Sequence, residues 1–166
     1  MSADTVVVTS PVPTTHAVRV LLEDLLGRDV TVGDGDPCTV GGRPGSAVAL
    51  YVDDHLRSAA VGVFDFTLTA HMGAAIGLLP PGAAEAAIED GEMPANLMEN
   101  AAEVFNIMAS LFNLPDAPHL KLYACYAPGE VLRNDVVEGA TRNGPRLDLN
   151  VEVARYGKGR LSIVCL

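Results

Sequence analysis

Residues 95–113 constrain this chain more than any other stretch, because two stripes of opposite character run along them at one spacing. Leu97, Ala101, Val104, Met108 and Leu111 are apolar. Glu99, Glu103, Asn106, Ser110 and Asn113 are polar, and none is positively charged. Both sets step i, i+4, i+7, i+11, i+14, which keeps each in line along a 3.6-residue helix. The spacing predicts one helix over 95–113, with the apolar stripe on a core and the polar stripe in solvent. Pro94 suits its first turn and Pro115 lies past its end. Glu103 and Asn106, three residues apart, put a carboxylate beside an amide on the outward face.

The helix needs an apolar surface to lie on, and the end of the chain supplies the clearest β signal. Leu147, Leu149, Val151 and Val153 alternate with Asp148, Asn150 and Glu152, the pattern of a half-buried strand. Tyr156-Gly157-Lys158-Gly159 reads as a turn, and Leu161, Ile163 and Cys165 continue a second strand. Earlier strands are expected at Val6–Val8, Asp29–Val32, Ala47–Val52, Ala59–Phe66 and Leu120–Ala127. In Ala59–Phe66, Val61, Val63 and Asp65 face away from Gly62, Phe64 and Phe66.

Helices are expected between these strands. One is capped by Thr14 or Thr15, carries Val18, Leu21, Leu22, Leu25 and Leu26, and ends at Gly27. Another starts at Thr67 or Thr69 and runs to about Leu79, where Pro80-Pro81 stop it. A short helix follows over Ala83–Glu89. Residues 33–37 and 41–46 are turn-rich, and 129–139 fit more than one state. The expected fold is α+β: long helices packed on a largely antiparallel sheet, in a single domain over residues 1–166.

Composition narrows the function. A 166-residue chain buries roughly 70% of its unfolded surface and needs no disulfide staple. No stretch approaches the ~20 apolar residues of a membrane span. The opening MSADTVVVTS has an acid and no basic segment, unlike a signal peptide. Three separated cysteines, Cys38, Cys125 and Cys165, fit reduced, buried thiols in the cytoplasm. The net charge is −10. From Ser58 to His119 there is no lysine or arginine, while Asp65, Glu85, Glu89, Asp90, Glu92, Glu99, Glu103 and Asp116 are acidic. Such a surface repels a phosphate backbone, so no nucleic acid is expected as partner. A protein offering a basic group is.

Familiar chemistry is mostly absent. His16, His55, His71 and His119 are never three or four residues apart, so no helix face offers two histidine ligands. Asp53-Asp54-His55 reads as a solvated turn. Gly33-Asp34-Gly35-Asp36 lacks the spaced acids of a calcium loop, and Gly41-Gly42-Arg43-Pro44-Gly45-Ser46 lacks the lysine of a P-loop. No Gly-x-Ser-x-Gly elbow is present. Two oddities single out residues 95–113. Asn is a mediocre helix former, yet Asn96, Asn100, Asn106 and Asn113 fall in or beside this helix. An exposed face usually mixes acids with lysines, and this one has none. Its acids are left unpaired within the helix, as on a docking surface, the alternative being a plain solvated stripe.

At Glu103-Val104-Phe105-Asn106-Ile107-Met108-Ala109-Ser110 the sequence resembles the CheC/CheX/FliY family of chemotaxis phosphatases, whose signature is Glu-x-x-Asn on a helix followed by small residues. The order of elements agrees: an early helix, strands around Val48 and Val63, a helical stretch, the motif helix and a closing antiparallel pair. The resemblance implies hydrolysis of the aspartyl phosphate of a response-regulator receiver domain. Asn106 would orient the attacking water, and Glu103 would pair with the regulator's lysine. Glu99 and Ser110 would flank them at the docking surface. Phosphoryl transfer needs positioning and charge neutralisation more than a covalent nucleophile, and an amide can both donate to and accept from a water. The chain would need no metal or cofactor of its own, Mg2+ belonging to the regulator. CheC members typically carry the motif twice. Here it stands once, because Leu26 follows Glu23 where Asn would be, which is closer to CheX and implies a homodimer; by the same analogy the closing β pair is a candidate to extend the sheet across it. A module that binds a partner through the acidic face without catalysis is the reading from a different class.

Overall fold

A computed structural model describes residues 10–166, so the strand expected at Val6–Val8 lies outside the described residues. The element order is α1 (Thr15–Leu26), β1 (Val30–Asp34), β2 (Ala47–Val52), β3 (Ser58–Phe64), α2 (Phe66–Ile76), α3 (Pro81–Asp90), α4 (Ala95–Met108), a 3-10 turn (Ala109–Phe112), β4 (Lys121–Tyr126), α5 (Asn134–Thr141), β5 (Arg146–Val153) and β6 (Gly157–Cys165). The six strands form one sheet in the order β1-β5-β6-β3-β2-β4, and every neighbouring pair is antiparallel.

Helices α1, α2 and α4 cover one face of that sheet. Val18, Leu22, Leu68, Met72, Val104 and Met108 meet Ala49, Tyr51, Phe64, Leu149, Val151 and Ile163 in the main core. Helix α3 packs on α2 through Ala84 and Ala87 against Ala70 and Ala74. The alternation expected in β5 holds from Leu149 on, with Leu149, Val151 and Val153 buried and Asn150 and Glu152 exposed; Leu147 and Asp148 are both half-buried, because Asp148 pairs with Arg146 and accepts from Ser162. Strands β2 and β3 are buried on both faces because α5 and residues near Cys38 cover the other side, where Val136 and Ala140 meet Val48, Leu50, Val61 and Val63. Residues 129–139, open to more than one state in the sequence, supply the start of α5 because Val136 and Ala140 find that apolar face.

Four expectations change. Strand β3 stops at Phe64, and Asp65 caps α2 by accepting from the Leu68 N–H at 2.9 Å, ahead of Thr67 and Thr69. The α-helix of 95–113 ends at Met108, and its last turn tightens to 3-10. The hairpin reverses at 154–156, not at 156–159, so Gly157 and Gly159 lie in β6. There a Cβ would strike His71 and Leu68 of α2, so these glycines admit the helix to the sheet rather than bend the chain. Finally, β5 and β6 are interior strands, and the edges are β1 and β4. The closing pair therefore has no unpaired side on which to extend the sheet.

Candidate functional site

Two anchors and a packed aromatic hold α4. Leu97, Ala101, Val104, Met108 and Leu111 are all buried, as their spacing predicts. Phe105 joins them at 0% exposure, inside the Glu103–Asn106 segment, and stacks on Phe64 with ring centroids 4.0 Å apart. Burying such a ring is worth roughly 1.5–3 kcal/mol. The stripe is thus wider than a single i, i+4 line, which is how Phe105 escaped the sequence pattern. The Tyr51 hydroxyl donates to the Phe105 carbonyl at 2.6 Å. The Ala109 N–H reaches the Asn106 carbonyl, three residues back rather than four. A buried tyrosine thus takes the carbonyl at the point where the helix tightens.

The four asparagines separate into two kinds. Asn100 Nδ2 donates to the Gly73 carbonyl of α2 at 3.0 Å. Asn113 accepts from the Leu120 N–H at 2.9 Å and ties the end of the helix to the start of β4. Both are structural. Asn96 and Asn106 are exposed, as Asn113 is, but among the described residues their side chains make no hydrogen bond. The sequence had grouped all four, since composition cannot distinguish an amide spent inside the fold from one left in solvent.

Glu99, Glu103, Asn106 and Ser110 are all exposed, so the structure brings the four together on the outward side of one helix and its last turn. Among the described residues, the side chains of Glu99, Glu103 and Asn106 make no hydrogen bond or ion pair within the chain. Ser110 differs: its hydroxyl donates back to the Ile107 carbonyl at 2.9 Å. Its proton is used, and its oxygen can still accept. Beside the Glu103 side of α4 runs an apolar groove of about 600 Å³, lined by Val20, Leu21 and Leu25 of α1 with Ile107 and Leu111. The periodicity of α4 gives no sign of it. The signal would have been Val20, an apolar residue off the buried stripe of α1 and 39% exposed.

The remaining candidates resolve simply. Asp53 accepts from the N–H groups of His55 and Arg57 at 2.8 and 3.0 Å, so it closes the β2–β3 turn. These bonds and the Arg57 guanidinium hold its carboxyl below the usual range. Cys38, Cys125 and Cys165 are free thiols. Cys38 and Cys165 are buried as expected and Cys125 is half-buried; desolvation pushes each thiol up to about 11, so little thiolate forms at neutral pH. Among the described residues no group of three His, Cys, Asp or Glu is placed to hold a metal ion. No described helix is long and apolar enough to cross a membrane.

Chemically, the arrangement offers an anionic group and an amide, both with free hydrogen-bonding capacity, on a rigid support. It contains no nucleophile beside a base. It suits insertion of Asn106 into another molecule's site, where the amide would hold a water or a polar group, and not self-contained covalent chemistry.

No protein-family model matches the sequence, and no curated protein does. Solved structures do match. FliY from Thermotoga maritima aligns with a TM-score of 0.58 at 16% identity, over 88% of this chain and 80% of that one. The FliM–SpeE complex from H. pylori aligns with a TM-score of 0.57 at 10% identity, over 90% and 80%. The FliG–FliM complex from H. pylori aligns at 0.52 and 11%, over 90% and 84%. At these identities the likeness is one of fold.

Proposed function

We propose, on the premise that this chain has the fold of the CheC/CheX/FliY family, that it dephosphorylates the aspartyl phosphate of a CheY-like receiver domain. Asn106 enters the receiver's site and orients the water for in-line attack. Glu103 pairs with the receiver's lysine and holds the docked geometry. Glu99 and Ser110 border that contact. The observation carrying this reading is that Glu103 and Asn106 share the outward side of a firmly anchored helix and, among the described residues, spend no side-chain hydrogen bond. A polar pair kept free on a rigid element is what positioning chemistry needs. The Mg2+ belongs to the receiver, and the reaction takes place where receivers are, in the cytoplasm. The homodimer is proposed with it and is checked by sedimentation.

Fold alone does not decide activity. A second reading, partner binding without turnover, is favoured by a specific observation: FliM, seen in complexes with SpeE and FliG, has the same fold. One measurement separates the two. The loss of phosphate from a receiver charged by a small acyl phosphate is followed with and without the protein. A phosphatase accelerates the loss, and Asn106→Ala abolishes the acceleration while the receiver still binds. A protein that leaves the loss unchanged or slows it is a binder. Full acceleration by Asn106→Ala removes the role given to that amide.

A further inference from the structure

We propose that Asn100 and Tyr51 are positioning residues that aim Glu103 and Asn106, an inference that rests on the phosphatase reading above. They hold α4 at two points that bracket Glu103. On the N-terminal side, Asn100 Nδ2 donates to the Gly73 carbonyl at 3.0 Å. Two absent side chains make room for this bond. A Cβ on Gly73 would collide with the Leu97 carbonyl oxygen, and one on Gly77 would collide with Asn100 Nδ2. Backbone therefore meets backbone where α2 and α4 touch, and the Asn100 amide locks the contact.

On the C-terminal side, Tyr51 reaches up from β2 and donates to the Phe105 carbonyl at 2.6 Å. Tyr51 is 0% exposed, so it touches no partner. The residue it holds directly precedes Asn106. One anchor thus joins α4 to a helix, and the other joins it to the sheet. Together they fix both its position along the fold and its rotation.

The geometry makes rotation the sensitive quantity. Turning α4 by about 10° carries a side-chain tip ~6 Å from the axis through about 1 Å. A displacement of about 1 Å can cost roughly 100-fold in rate when a group must hold a reactant in line. Docking through a flexible glutamate tolerates the same displacement. Loosening an anchor therefore lowers kcat far more than it raises KM.

The test uses the full chain with a CheY-like receiver charged by acetyl phosphate. Tyr51→Phe removes one bond with the ring kept, and Asn100→Ser shortens the other. Tyr156→Phe is the matched control: it loses a similar bond, from its hydroxyl to the Leu79 carbonyl at 2.7 Å, in which no residue of α4 takes part. Amide residual dipolar couplings across residues 101–107 report the orientation of α4 on the sheet without any reaction. In Tyr51→Phe and Asn100→Ser the couplings change and kcat falls about tenfold or more, with KM within about threefold. In Tyr156→Phe neither moves. Unchanged couplings in both variants overturn the proposal. So does a loss confined to KM, or a fall in kcat that Tyr156→Phe shares. If Asn100→Ser does not fold, Tyr51→Phe carries the decision. A wild-type chain that leaves the receiver phosphorylated sinks the phosphatase reading instead, and the couplings then decide alone whether these residues orient the helix.

Discussion

Helices α1 and α4 lie over the same face of the sheet, and each carries a glutamate three residues before a decisive position. In α1 these are Glu23 and Leu26; in α4 they are Glu103 and Asn106. Leu26 is 5% exposed and belongs to the core. Glu23 is spent on an ion pair with Arg19 at 3.7 Å. Asn106 is exposed and Glu103 is unpaired within the described chain. The same spacing thus gives a strut in one helix and a candidate site in the other. The cause is phase. Val18, Leu22 and Leu26 step along the buried line of α1, so position 26 must be apolar. Asn106 lies nine residues from Leu97, about 180° around the helix, and faces solvent.

Transplanting the motif is the harshest way to break this comparison. Leu26→Asn completes a second Glu-x-x-Asn on paper, but it buries an amide and empties apolar volume. A loss of about 3 kcal/mol in urea unfolding is expected, with no added turnover. A stable variant with doubled activity would show that phase does not decide. In α4 the effects reverse. On the proposed function, Asn106→Ala leaves the unfolding free energy within about 0.5 kcal/mol, while stimulated dephosphorylation falls roughly 100-fold.

Charge sharpens the contrast. Glu103→Gln weakens receiver binding about tenfold at low salt, and titration at rising ionic strength closes the gap, as for a screened contact. Glu23→Ala changes stability by less than about 0.5 kcal/mol, because a surface ion pair is worth little. A large effect of Glu23→Ala on receiver binding would mean that α1 also meets the partner.

Helix α2, which packs against α4, adds a pH dependence. His71 is 6% exposed, and its Nδ1 has no partner. Burial lowers its pKa below the ordinary 6.5, against the opposing pull of Asp65 and Glu85. The folded state therefore keeps the neutral ring to lower pH than the unfolded state does. The stabilisation is intact above about pH 6.5 and is lost as pH falls from there through the folded value. Unfolding free energy measured from pH 7.5 to 5 declines on acidification, and His71→Asn flattens that slope.

Local periodicity made much of the fold legible. The apolar line of α4, the alternation of β5, the bounds of β2 and the end of α1 at Gly27 all follow from residues within a turn or two of one another. What was missed depends on distant partners. Gly157-Lys158-Gly159 looks like a turn until Leu68 and His71 press on it. Residues 95–113 look like one unbroken α-helix until Tyr51, more than 50 residues away, takes the Phe105 carbonyl. The closing hairpin looks like an edge until β1 pairs with β5. The candidate site was legible as residue types, but its sorting was not. Asn100 and Asn106 are the same amide on the same helix, and only α2 makes one of them structural.

The sequence by itself determined that α4 has a core side and an uncompensated acidic side, because helical phase and charge are local properties. It also determined that Glu103 and Asn106 share the second side. Tertiary structure alone decided that α4 is anchored on both flanks of Glu103, that its last turn tightens, and that an apolar groove runs beside it. Those features depend on hydrogen bonds and contacts between segments far apart in the chain. Such contacts exist only once the sheet order β1-β5-β6-β3-β2-β4 brings their elements together.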